Sequence, residues 1–252
     1  MSLTIKIGDT LSFSIGTVPD TADTAMKILA IDTSTKYLSL AVADDEKVLT
    51  SFHRDSAQRH ATLIVAQIDK LLKKRRLRLK DIDCFAISKG PGSFTGLRIG
   101  VATIKGLALA TKKPIVGVPT LDVMAYNIKR DHSLIAPIVD AKRGNIYASL
   151  YSLKDGNLSR HLKYSVLPIS EFLNHIKGET IFLGDGIVPY RHLIADKLKR
   201  KAKFAEEKDW YPKATVVARL GLELFKKRKL ENPDKFTPLY LYPRDIQCRR
   251  RV

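Results

Sequence analysis

The chain has 252 residues, 44% of them hydrophobic and 28% charged, with 44 Lys+Arg against 26 Asp+Glu for a formal net charge of +18. These are globular proportions for one large or two modest domains, and no apolar run approaches the roughly 20 residues that span a bilayer. Two cysteines, Cys84 and Cys248, exclude a disulfide framework and a cysteine-built metal site, so a reducing cytoplasm is the expected location.

Residues 1–25 differ from the rest of the chain: two alternating stretches, then a small polar linker from Thr17 to Ala25. They contain only Lys6 against Asp9, Asp20 and Asp23, so the positive charge lies beyond them. Met26 begins abruptly like a buried first strand and is the expected functional start, with 1–25 a dispensable extension.

From Met26 the pattern predicts strands over Ile28–Asp32, Tyr37–Ala43 and Lys47–Phe52, then a helix from His60 to about Lys74. Ala61, Ile64, Val65, Ile68, Leu71 and Leu72 follow the helical period, with Leu63 outside that stripe as leftover apolar surface. His60 at the helix start is expected to be a cap or surface residue. A strand over Cys84–Ser88 precedes a Gly/Pro-rich loop, Lys89-Gly90-Pro91-Gly92-Ser93-Phe94-Thr95-Gly96, and a helix over Thr95–Thr111. Thr95 is the expected N-cap and Pro114 the stop. Such a loop can bring backbone N–H groups to a phosphate or a neighbouring chain, but it lacks the spacing of a Walker or Rossmann loop. Gly96, Gly100, Ala102, Gly106 and Ala110 give the helix small residues that allow close packing. A strand over Ile115–Val118 comes next.

The second half repeats the first. Ile31-Asp32-Thr33-Ser34-Thr35 is echoed by Val139-Asp140-Ala141-Lys142-Arg143, each a strand ending in Asp, a polar turn and an alternating strand. Then come a strand over Leu162–Leu167, a helix from Ser170, a strand over Thr180–Gly184, and helices near Tyr190–Lys199 and Lys213–Lys229. An internal duplication predicts an α/β protein with the actin-like ATPase (ASKHA) fold, two lobes each with a mixed five-stranded sheet flanked by helices. The expected lobes are 26–126 and 127–252, the last helix packing back on the N-terminal lobe.

In that geometry Asp32 and Asp140 face one cleft and suit hydrated Mg²⁺, the turns Thr33-Ser34-Thr35 and Lys142-Arg143-Gly144 suit phosphate oxygens, and Gly184-Asp185-Gly186 lets an adenosine approach the backbone. The same residues are also ordinary turn chemistry. No two histidines lie three or four apart on one helix; His53 and His60 are seven apart, about 10 Å along a helix, too far for one zinc. No catalytic residues and no metal site are expected. Basic clusters at 70–80, 197–203, 226–229 and 249–251 suit a phosphate backbone, with Lys73, Lys74, Arg75 and Arg76 as candidate nucleic-acid contacts, although a helix end also favours cations.

Ile28-Leu29-Ala30-Ile31-Asp32-Thr33-Ser34, Gly90-Pro91-Gly92-Ser93-Phe94-Thr95-Gly96-Leu97-Arg98-Ile99-Gly100 and Gly117-Val118-Pro119-Thr120-Leu121 together resemble the TsaB (YeaZ) family of tRNA threonylcarbamoyladenosine biosynthesis proteins. Val139 to Arg143 and Gly184 to Gly186 extend the likeness, which fades in the last third. The resemblance implies a scaffold subunit, a non-catalytic paralogue of TsaD. It would pair with a TsaD-like catalytic subunit through N-terminal-lobe helices, be joined by a TsaE-like ATPase, meet tRNA through the complex, and pair with itself when alone. The pairing residues are expected to be Leu63, Ile64, Ile68, Leu97, Val101 and Lys105, and charges at Leu63 and Ile68 are expected to abolish pairing without unfolding. No resident cofactor is expected, with ATP and Mg²⁺ admitted only at the cleft of the complex. Where the family often has His-Ser-Glu, this chain has His60-Ala61-Thr62. The competing readings are an independent ATPase or phosphotransferase of the actin-like class and, behind it, a peptidase.

Overall fold

The computed structural model describes residues 25–242 apart from 46, 57, 58 and 130–132. Residues 1–24 of the extension, Cys248 and the basic cluster at 249–251 lie outside the described residues. The first lobe is built from β1 (Lys27–Asp32), β2 (Tyr37–Asp44), β3 (Lys47–Asp55), α1 (His60–Lys74), β4 (Cys84–Ser88), α2 (Phe94–Thr111), β5 (Ile115–Val118) and α3 (Thr120–Ala125). The second contains β6 (Leu134–Lys142), β7 (Asn145–Lys154), β8 (Asn157–Pro168), α4 (Ile169–Phe172), β9 (Thr180–Leu183), α5 (Ile187–Leu198) and β10 (Ala202–Phe204). α6 (Ala214–Lys226) then packs on β1, β2, β4 and β5 of the first sheet.

The two sheets have the same order. The first runs β3-β2-β1-β4-β5 and the second, read from its other edge, β8-β7-β6-β9-β10. In both, the first strand is antiparallel to the second and parallel to the fourth. This is the duplicated actin-like α/β fold. β1 is apolar from Ile28 to Ile31 because both its faces are covered: Leu29 and Ile31 pack under α1 and α2, and Ile28 and Ala30 under α6. β3 forms the edge and alternates into charge and polarity, which discourages pairing with another chain.

Local differences have local causes. Ser93, not Thr95, caps α2, its hydroxyl accepting from the Gly96 amide at 3.2 Å. The helix ends on Lys112 in the left-handed conformation, two residues before Pro114. The helix from Ser170 is one turn followed by a 3₁₀ turn, Leu173–His175, because the chain must return at once to β9. α5 begins at Ile187, since Pro189 in a first turn removes no helical bond. β10 and α3 are too short to have shown a period. Cys84 is buried, and burial pushes its thiol well up from the ordinary value. Among the described residues no helix is long and apolar enough to cross a membrane.

Candidate functional site

β1, β4, β6 and β9 point their C-terminal ends at a cleft of about 800 Å³ between the lobes. Ser34, Thr35 and Lys36 and the Gly92–Gly96 loop form one wall; Asp140 to Arg143, Tyr147 and Asp185 form the other. The duplicated Asp-ending hairpins do meet across one gap, but their carboxylates differ. Asp32 is fully buried and does not line the cleft. Its Oδ1 accepts from the Ser34 amide and its two oxygens from the Ser34 hydroxyl at 3.0–3.1 Å. Burial raises its carboxyl to about 7, against the lowering effect of those bonds.

The Gly-rich loop explains that burial. The Ser93 amide donates to the Ser34 carbonyl at 2.7 Å, and the Thr33 hydroxyl to the Gly96 carbonyl at 2.8 Å. A Cβ at Gly92 or Gly96 would overlap the Ser34 or Thr33 carbonyl oxygen. The glycines therefore let α2 close on the first turn. The amide of Ser34 and hydroxyl of Thr33, which sequence reasoning aimed at phosphate oxygens, are spent within the chain. Asp32 is closed off from the cleft, while Ser34 lines it with its amide and hydroxyl already bonded to that carboxylate.

On the opposite wall, Asp140 accepts from its own turn: Lys142 N at 2.8 Å and Lys142 Nζ at 2.6 Å. Asp185 Oδ1 accepts from the Asp140 amide at 3.0 Å, and burial raises this carboxyl. Gly184 has φ +107°, and a Cβ there would strike the Ile138 carbonyl; Gly186 lies against the same carbonyl. The Gly-Asp-Gly turn thus pins the end of β6, and close backbone approach serves β6 itself. Among the described residues no group of three His, Cys, Asp or Glu side chains gathers as metal ligands.

Sequence reasoning missed the segment Leu239–Tyr242, which crosses the cleft. The Leu239 amide donates to the Lys89 carbonyl at 2.7 Å, Arg98 Nε to the Tyr240 hydroxyl at 3.2 Å, and the Tyr242 hydroxyl to the Ala141 carbonyl at 3.3 Å. Tyr240 packs on Phe94 and Tyr242 edge-on to Tyr147. Nothing in local pattern joins Tyr242 to a turn 100 residues earlier. His60 was misplaced too: it is buried, its Nδ1 2.7 Å from Ser56 Oγ and Nε2 2.9 Å from the Thr35 carbonyl, tying α1 to the cleft turn.

The candidate pairing residues need correction. Ile64, Ile68, Leu97 and Val101 are buried against the first sheet, and Leu63 is half-buried against the same core. Lys105 is half-buried, its Nζ donating to the Asp234 carbonyl at 3.3 Å. Of the α1 stripe, Ile64, Ile68, Leu71 and Leu72 are core, whereas Ala61 and Val65 are exposed and Leu63, expected as surface, packs against the core. The outward faces of α1 and α2 instead present Ala61, Val65, Ala102, Gly106 and Leu109, with Val65 and Leu109 each 63% exposed. Lys73, Lys74, Arg75 and Arg76 are all exposed at the end of α1.

Residues 52–247 match the family model described as TsaD, tRNA N6-adenosine threonylcarbamoyltransferase. A tRNA threonylcarbamoyladenosine biosynthesis protein TsaB of Bacillus subtilis is 31% identical over 79% of this chain and 88% of the relative. The Escherichia coli protein of that name is 34% identical over 64% and 72%. The solved structure of YeaZ from Pseudomonas aeruginosa superposes with a TM-score of 0.74 at 24% identity, covering 86% of this chain and all of that one. With this sequence similarity and the duplicated fold together, the chain belongs to the TsaB (YeaZ) family.

Proposed function

We propose that this chain is a non-catalytic scaffold subunit in the biosynthesis of threonylcarbamoyladenosine beside the anticodon of tRNA, a pathway its TsaB relatives are named for. It pairs with a TsaD-like catalytic subunit, and a TsaE-like ATPase joins the pair. The observation that carries this is the outward face of α1 and α2. Ala102, Gly106 and Ala110 recur every fourth residue beside exposed Leu109, and a Cβ at Gly106 would meet nothing within 4 Å. Small residues with isolated large apolar side chains let a partner helix approach closely while burying Val65 and Leu109. A second copy of the chain would use the same face in the absence of the partner.

A non-catalytic role is supported by the commitment of Asp32, Thr33 and Ser34 to internal bonds. The independent ATPase reading needs those groups free. Gly106→Glu and Val65→Glu, both on exposed positions, test the pairing face. Each should fold as the parent does and weaken co-purification with the TsaD-like subunit at least tenfold. Undiminished pairing by both would remove this face from the interface.

A further inference from the structure

The first sheet has a second edge, opposite the cleft, where the N-terminal ends of β1, β4 and β5 lie side by side. Lys27 O accepts from the Asp83 amide, Pro114 O from the Phe85 amide, and Ile115 pairs with Glu231 just after α6. α1 and α2 start beside the cleft and α6 near Ser39, whose hydroxyl accepts from the Ala214 amide, so all three helices end at this far edge. Clusters that are far apart in sequence therefore converge: Arg75–Arg76 and Lys80 after α1, Lys112 after α2, and Arg228–Lys229 after α6.

Two observations separate this edge from ordinary basic helix ends. Three of the acids there are already used, Asp44 by Lys27, Asp81 by Arg78 and Asp83 by Lys113, and Asp45 accepts from the Met26 amide at 3.3 Å. Lys80, Arg76, Lys112, Arg228 and Lys229 have no ion pair among the described residues, and three helix termini of about half a negative charge each cannot neutralise them. Moreover, Arg76, Lys112 and Arg228 occupy left-handed positions with φ of 54°, 58° and 53°. Such positions after a helix favour glycine or asparagine, so cap geometry would not select cations there. α5 of the second lobe also ends on a cation with positive φ, Lys199, which makes that end the proper comparison.

We infer that the far edge of the first lobe is a phosphate-backbone docking surface for RNA. Across five strands it is about 19 Å wide, enough for about four successive phosphates of one strand. The choice of RNA rests on the proposed role in tRNA modification. The surface lies away from the glycine-lined cleft and is built from ends, not faces, of the helices proposed to pair.

The test is binding of an unmodified tRNA transcript to the full chain alone, measured from 50 to 200 mM salt. Combined Arg76→Gln, Lys112→Gln, Arg228→Gln and Lys229→Gln should reduce the salt slope by about 3, at 0.7–0.9 per lost contact, and weaken binding at least tenfold at low salt. Removing as many charges from the second lobe, through Lys197→Gln, Lys199→Gln, Arg200→Gln and Lys201→Gln, should leave the slope unchanged. Arg76→Lys with Arg228→Lys, which keeps charge at the same backbone positions, should bind as the parent does. Equal losses from both lobes, or an unaltered slope in the first variant, would overturn the assignment. Co-purification of the parent chain with the TsaD-like subunit is measured alongside: its failure while the parent binds tRNA counts against the proposed pairing alone.

Discussion

Replacing Asp32 by Asn tests whether this carboxyl is a structural acid or one kept ionised for a ligand. It is fully buried, with its carboxyl raised from 3.8 to about 7 by desolvation. A group raised on folding stabilises the protein fully below its unfolded pKa, and that contribution is lost as pH rises through the folded value. Here the native state holds the extra proton between about pH 4 and 7, so stability falls across that window and levels above it. About three pH units at 1.36 kcal/mol each correspond to about 4 kcal/mol, an order-of-magnitude figure. Asn keeps an oxygen to accept from the Ser34 amide and hydroxyl. Ser88, the other hydroxyl beside this carboxyl and one that favours its ionised form, can accept from the new N–H groups instead. Denaturant melts from pH 4 to 8.5 should therefore show the two proteins close near pH 4 and Asp32→Asn the more stable by up to about 4 kcal/mol at pH 8. At 2–4 °C per kcal/mol this is about 10 °C in melting temperature. Parallel pH profiles, or a variant less stable at pH 8, would refute the reasoning and mean that something cationic holds the ionised form.

Gly96→Ala should cost about 1–3 kcal/mol in denaturant unfolding, because the new methyl meets the Thr33 carbonyl; a neutral result would mean that α2 does not close on that turn. Ile68→Glu should unfold the chain by burying an unpaired charge, whereas Val65→Glu on the same helix should leave the melt within about 0.5 kcal/mol of the parent. Equal melts for the two would contradict the orientation of α1. Tyr242→Ala should speed hydrogen exchange of the Leu239 amide while leaving β1 and β4 protected, since it removes the anchor on the second lobe. Unchanged exchange would show that the crossing segment is held from the first lobe alone.

The fold was legible because its signals were local and repeated. β1 and β6 each show an apolar run ending in Asp, and Ile64, Ile68, Leu71 and Leu72 of α1 show their core spacing, although Ala61 and Val65 of the same period face outward. What failed was deciding which side of a stripe is surface. Leu97 and Val101 read equally as core or interface until the sheet beneath them is known. The roles of Asp32 and Gly96 could not be separated in sequence either, because the glycine acts on a turn 63 residues away. Phosphate-binding chemistry and tight internal packing ask for the same residues there, and only the contact between Gly96 and Thr33 distinguishes them. The crossing segment Leu239–Tyr242 and the gathering of Arg76, Lys112 and Arg228 at one edge are consequences of topology with no local signal.

Reconstituted threonylcarbamoylation of tRNA, with the TsaD-like and TsaE-like proteins and this chain present or omitted, tests the scaffold role most directly. The account predicts that modification requires the chain, that Asp32→Asn supports it as well as the parent, and that the chain alone hydrolyses no ATP. Full modification without the chain, or ATP hydrolysis by the chain alone that disappears with Asp32→Asn, would contradict it.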